Sequence, residues 1–132
     1  MKKLFINIII LTILFVACNK VKEPVLIGTW HLDNISGGFT GNGYKADFLF
    51  LKFIDNKNCE WIDSIGNIIA TAKYKLSDSK GKKCIKFYSS QFPEIFYFES
   101  KTEYNLYSND SLILSPCFEC NDCYSYLFTR EN

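Results

Sequence analysis

The sequence predicts an all-β domain, a sandwich or barrel of about eight short antiparallel strands. Three observations carry this. Short apolar or alternating runs recur from residue 26 to the carboxyl end, broken every 8–12 residues or so by Gly, Asn, Asp, Ser and Lys. Aromatic residues are abundant, with 12 Phe, 8 Tyr and 2 Trp, and such side chains suit a pleated surface better than a helix. No long stretch holds a 3.6-residue apolar period.

The expected strands follow in order: 26–35, 46–54, 59–63, 68–76, 83–89, 94–107 with a break near Ser100, 111–115 and 123–129. Polar turns separate them at 55–58 (DNKN), 64–67 (SIGN), 77–82 (SDSKGK) and 108–110 (SND). Residues 36–45 hold four of the seven glycines and form the long connection. Strand alternation assigns faces. Ile68, Ala70, Ala72, Tyr74 and Leu76 are expected inside, opposite Ile69, Thr71, Lys73 and Lys75; Ile85 and Phe87 are expected inside, opposite Lys86 and Tyr88. Residues 48–53 are apolar on both faces, so their outer side should be covered or form an exposed patch.

Ahead of this domain, Lys2 and Lys3 precede an apolar run from Leu4 to Val16 interrupted only by Asn7 and Thr12, and Ala17 stands directly before Cys18. A run of about a dozen residues is short for a bilayer span and suits a signal-peptide core. A plain signal peptide or an amino-terminal anchor would share these features. The order of charge, apolar run and small residue before Cys resembles the lipobox of bacterial lipoproteins. That resemblance implies cleavage after residue 17 and a diacylglyceryl group on Cys18, with acyl chains of the palmitate class. Two acyl chains suffice for stable membrane anchoring where one does not. Residues 18–24 read as a polar tether closed by Pro24, and residues 25–132 as one domain. Cleavage would leave 115 of the 132 residues, with 13 of the 15 basic side chains against 14 acidic ones. Such a balance argues against nucleic-acid binding.

The run Ile27-Gly28-Thr29-Trp30-His31-Leu32 resembles the G-x-W opening of lipocalins, and more closely that of short bacterial lipocalin-like lipoproteins. In those a lipobox and brief tether lead into this strand, followed by an "L-x-F" strand (here Leu51-Lys52-Phe53) and a last strand ending in aromatic-x-aromatic and a basic residue (here Tyr126 to Arg130). The resemblance implies an up-and-down barrel of about eight strands. Gly28 would pass close under the barrel floor, Trp30 would plug that end, and Arg130 would lie over the indole as a barrel-closing partner. The competing reading of Trp30 is an ordinary core aromatic. The DNKN turn departs from the glycine usual in these relatives, and the cysteine cluster is foreign to the pattern.

Five cysteines follow Cys18: Cys59, Cys84, Cys117, Cys120 and Cys123. An odd count leaves at least one thiol unpaired within the chain. The cluster 117–123 (CFECNDC) admits three readings: a loop-pinning disulfide, with Cys117 to Cys123 the simplest staple; a metal site, which lacks a fourth ligand; or a redox pair. The first is the expectation, with disulfide candidates Cys117, Cys120 and Cys123 and no metal or other cofactor. The single His31 has Asp33 two residues on, a solvated pair on the face opposite Trp30. No catalytic constellation is visible. Asp63-Ser64-Ile65 and Asp110-Ser111-Leu112 resemble a short bacterial O-glycosylation pattern.

These readings converge on a non-enzymatic lipoprotein held in the bacterial cell envelope, at the outer membrane, by its amino-terminal lipid. As a monomer it would bind a small apolar ligand inside the barrel, with Leu51, Phe53, Tyr74 and Phe87 as lining candidates. The competing expectation is a structural or interaction module whose interior is filled and whose working part is a surface.

Overall fold

The computed structural model describes residues 25–88 and 102–132. The signal segment, Cys18, the tether, and the expected strand residues 89 and 94–101 lie outside the described residues. The described residues form β1 (Gly28–Gly37), β2 (Phe50–Phe53), β3 (Asn58–Ile62), β4 (Ile68–Ser79), β5 (Lys82–Tyr88), β6 (Thr102–Tyr107), β7 (Ser111–Pro116) and β8 (Tyr124–Arg130). Each strand pairs antiparallel with its sequence neighbours, and β1 pairs with β8, so the sheet closes into an up-and-down barrel. Among the described residues there is no helix.

Alternation makes the core. Trp30, Leu51, Phe53, Cys59, Trp61, Ala70, Ala72, Tyr74, Ile85, Phe87, Leu112, Leu114, Tyr126 and Phe128 belong to one buried cluster. Lys52, Thr71, Lys73 and Lys75 alternate with them on the outside. Two bulges reset the phase. Between Leu32 and Asn34 the β1–β8 register slips by one residue, so Trp30 is inside and, five residues on, so is Ile35. Between Trp61 and Ile62 a second slip pairs Ile62 with Ile68 and leaves Ile69 extra. This corrects the expectation for Ile68. The bulge turns it outward with Ile62, and it is exposed. Leu76 keeps the inward phase, opposite buried Ile85, yet is also exposed because β4 extends past β3 at the barrel end where β1 begins.

The expected strand 46–54 is shorter than its apolar run. Only Phe50–Phe53 pair as a strand, and residues 44–48 instead fold over the end where β1 stops. Phe48 is buried and stacks on Phe128 at 6.4 Å, while the Tyr44 and Tyr126 hydroxyls meet at 2.8 Å. Outside, Phe50 is covered edge-on by His31 at 5.4 Å. Asp55 organises the β2–β3 turn by accepting hydrogen bonds from the Lys57 and Asn58 N–H groups and the Asn58 side-chain amide. Asp63 does the same for β3–β4 through Ile65 and Asn67.

Candidate ligand-binding site

One end of the barrel, where β1 begins, is closed by Arg130. Register places Arg130 directly opposite Trp30. Its guanidinium carbon lies 4.2 Å from the centre of the indole, whose own N–H donates to the Leu26 carbonyl at 2.8 Å. The rest of the fork binds backbone: Nη1 donates to the Ile27 carbonyl at 2.9 Å, Nη2 to that of Val25, and Nε to that of Asn109 at 2.5 Å. One side chain thus ties the entering chain, the β6–β7 turn and the buried indole together. It also explains Gly28, whose φ is +139° and where any Cβ would collide with Arg130 Nη1.

The lumen above this lock is packed. Leu51, Phe53, Tyr74 and Phe87, the residues that sequence nominates as ligand lining, are all buried there. Phe53 meets Tyr74 edge-on at 5.0 Å and stacks on Phe87 at 6.4 Å, and Phe87 meets Trp61 at 5.3 Å. These rings contact one another. The Cys59 thiol faces the same interior, donates to the Ala72 carbonyl at 3.6 Å, and is pushed up to about 12 by burial.

A cavity of about 460 Å³ lies beside the lock. Its origin is topological. Among the described residues β5 and β6 share two rungs, Cys84 with Glu103 and Ile85 with Thr102, and on the hairpin side of Cys84 the β4–β5 hairpin and β6 part company. Tyr74, Leu76 and Lys83 line one wall and Tyr104, Asn105 and Leu106 the other, while Val25, Leu26 and Ile27 pass along the opening with Asn56. Of the four nominated residues only Tyr74 reaches this cavity. Its hydroxyl donates to the Asp55 carbonyl at 2.6 Å, and burial pushes its pKa up to about 12, so the wall presents a neutral phenol. Sequence reading missed Leu26, Tyr104, Leu106 and Lys83. The apolar alternation of Tyr104 and Leu106 was visible; the divergence of β5 from β6 was not.

The cysteines correct the expected staple. Cys120 is bonded to Cys123, not Cys117 to Cys123. The Asn-Asp turn inside CNDC brings those two Cα atoms to 5.5 Å. Cys117 is instead drawn across to β5, where its sulfur lies 2.6 Å from that of Cys84. Among the described residues no group of three or more His, Cys, Asp or Glu is arranged to hold a metal ion. His31 Nδ1 lies 2.9 Å from Asp33 on the partly exposed outer face, away from the cavity. Ser64 is exposed in the β3–β4 turn, and Ser111 is half-buried at the start of β7.

Together these features define a class: a small closed β-barrel with a filled lumen, an arginine-locked end and a cavity of mixed polarity between two diverging strands. Comparison with known protein families, with curated proteins and with solved structures finds no match to this chain.

Proposed function

We propose that the protein is a lipid-anchored envelope lipoprotein whose lipocalin-like barrel binds a small apolar or amphipathic ligand, without catalysis. The cavity of about 460 Å³ carries the binding reading. Sites for small molecules run from about 300 to 1,000 Å³ and combine apolar walls with a few polar groups. Leu26, Leu76, Tyr104 and Leu106 supply the walls, and Lys83, Asn56 and Asn105 the polar groups. That mixture suits a ligand with an apolar body and an anionic or polar end. The lumen proper is occupied by its own aromatics, so the ligand site lies beside the Arg130-closed end, outside the lumen.

The anchor rests on the order of Lys2-Lys3, the short apolar run, Ala17 and Cys18. Six residues separate Cys18 from Val25, so the seven steps between them span at most about 25 Å when extended. Lipid on Cys18 would therefore hold the cavity lined by Val25 close to a bilayer and to membrane amphiphiles. The single histidine, paired with Asp33 outside the barrel, fits a binding role better than acid–base chemistry at the cavity. A second reading, an interaction module, draws on Phe39 and Phe118. These are 94% and 53% exposed, on adjacent connections joined by the Gly38 N–H to Cys123 carbonyl hydrogen bond.

Calorimetric titration with dodecanoate tests the first reading. Saturable binding should weaken at least tenfold in Leu76→Asp, which sets a carboxylate in the cavity wall at a position exposed enough to tolerate it. Absence of binding, or unchanged binding in Leu76→Asp, would leave the interaction module as the better account.

A further inference from the structure

Among the described residues the seam between β5 and β6 holds two rungs. Cys84 stands on one of them, opposite Glu103. By strand phase it points outward, since its neighbours Ile85 and Phe87 in alternation belong to the buried cluster and it does not. Yet it is fully buried. Cys117 lies over it: Glu103 pairs in turn with Ser115, and two residues later the chain leaves β7 and brings the Cys117 sulfur to 2.6 Å from that of Cys84. This is closer than unbonded sulfurs rest and about 0.5 Å beyond a covalent disulfide.

We propose that Cys84 and Cys117 form a second disulfide, a covalent clamp across β6 on the outer face of the barrel. The thiol count supports it. With Cys120 bonded to Cys123, this bond leaves Cys59 as the one unpaired thiol of residues 25–132, and Cys59 is 1% exposed inside the core. Every cysteine that solvent can reach would then be paired.

The chemistry is thiol–disulfide exchange with a small disulfide such as oxidised glutathione. Cys117, partly exposed, attacks as thiolate and forms a mixed disulfide, releasing one glutathione thiolate. The Cys84 thiolate then attacks the Cys117 sulfur and expels the second glutathione. Two protein thiols lose two protons and two electrons, and the oxidant disulfide becomes two thiols. Burial and the neighbouring Cys84 thiol hold Cys117 up to about 12, so alkaline conditions should speed the first step.

The test is disulfide mapping of the full-length chain after incubation with oxidised glutathione, alkylation, and digestion with trypsin and a Glu-specific protease. Cleavage after Glu119 separates Cys117 from Cys120. The peptide Cys84–Lys86 should then be found joined to the peptide carrying Cys117, with Cys120 and Cys123 joined within another. Thermal melts provide a second readout. Closing a loop of this length should raise the midpoint by on the order of 10 °C. That gain should be present in oxidised wild type, abolished by reduction, and absent from Cys117→Ser whether oxidised or not. Alkylated Cys84 and Cys117 after oxidation, or Cys84 joined to Cys120 or Cys123, would overturn the proposal. So would a Cys117→Ser protein whose melt still responds to oxidation as the wild type does.

Discussion

Removing Arg130 tests how the barrel end is held. The guanidinium makes three hydrogen bonds to backbone carbonyls and one cation–π contact with Trp30. Arg130 is partly exposed, so each charged hydrogen bond is worth about 0.5–1 kcal/mol, below the buried range. The cation–π contact adds about 1 kcal/mol. Arg130→Ala should therefore cost about 3 kcal/mol. For a domain near this size roughly 4 °C accompanies each kcal/mol, so the melting midpoint should fall by about 12 °C. Arg130→Lys keeps a point charge near the indole but loses the fork that reaches three carbonyls, and should cost about 2 kcal/mol. Urea unfolding followed by tryptophan fluorescence reads both, and Trp30 itself should report the change. A loss under about 1 kcal/mol for Arg130→Ala, or wild-type stability in Arg130→Lys, would refute the reasoning.

Gly28→Ala combines an unfavourable φ of +139° with a collision against Arg130, and should cost about 2–3 kcal/mol. In the double variant with Arg130→Ala the collision disappears, so the two losses should sum to less than additivity by about 1 kcal/mol; strict additivity would mean the groups do not meet. Stability should also fall at both ends of the pH scale. Asp55 is held below its ordinary value by the Asn58 side chain and turn N–H groups, Asp63 by Asn67, and Glu103 by Lys82. Lowered folded pKa values mean stability that is present above the ordinary carboxylate range and lost as pH falls below about 4. Tyr74 and Cys59, raised by burial from 10.0 and 9.0 to about 12, act in the opposite sense. Their stabilising effect is complete below those ordinary values and drains away as pH rises toward 12. Denaturant midpoints that stay level from pH 9 to 12 would contradict this.

Much of the barrel is legible because period-2 patterning is a local signal. Ala70, Ala72 and Tyr74 alternate with Thr71, Lys73 and Lys75, and the structure buries the first set. What escapes the pattern are the places where two strands disagree in count. The bulges near Asp33 and Ile69 depend on the partner strand, so Ile68 reads as inward from its own sequence and lies outward in the fold. The cavity is hidden for the same reason, arising where β5 and β6 stop pairing. The cysteines divide likewise. Cys120 and Cys123 sit one turn apart, while Cys84 and Cys117 are 33 residues apart and meet only through the registers of β5, β6 and β7. One hint was present, an apolar thiol at Cys84 on a face otherwise marked by Lys82 and Lys86.

The most direct test of a lipid-anchored, ligand-binding barrel is native mass spectrometry of the full-length protein purified from its own membrane. The account predicts a chain beginning at Cys18, heavier by a diacylglyceryl group on that residue, and carrying a further non-covalent small molecule that Leu76→Asp protein lacks. An unmodified Cys18 would contradict the anchor. A lipidated chain that never retains a small molecule, in wild type or variant, would contradict ligand binding.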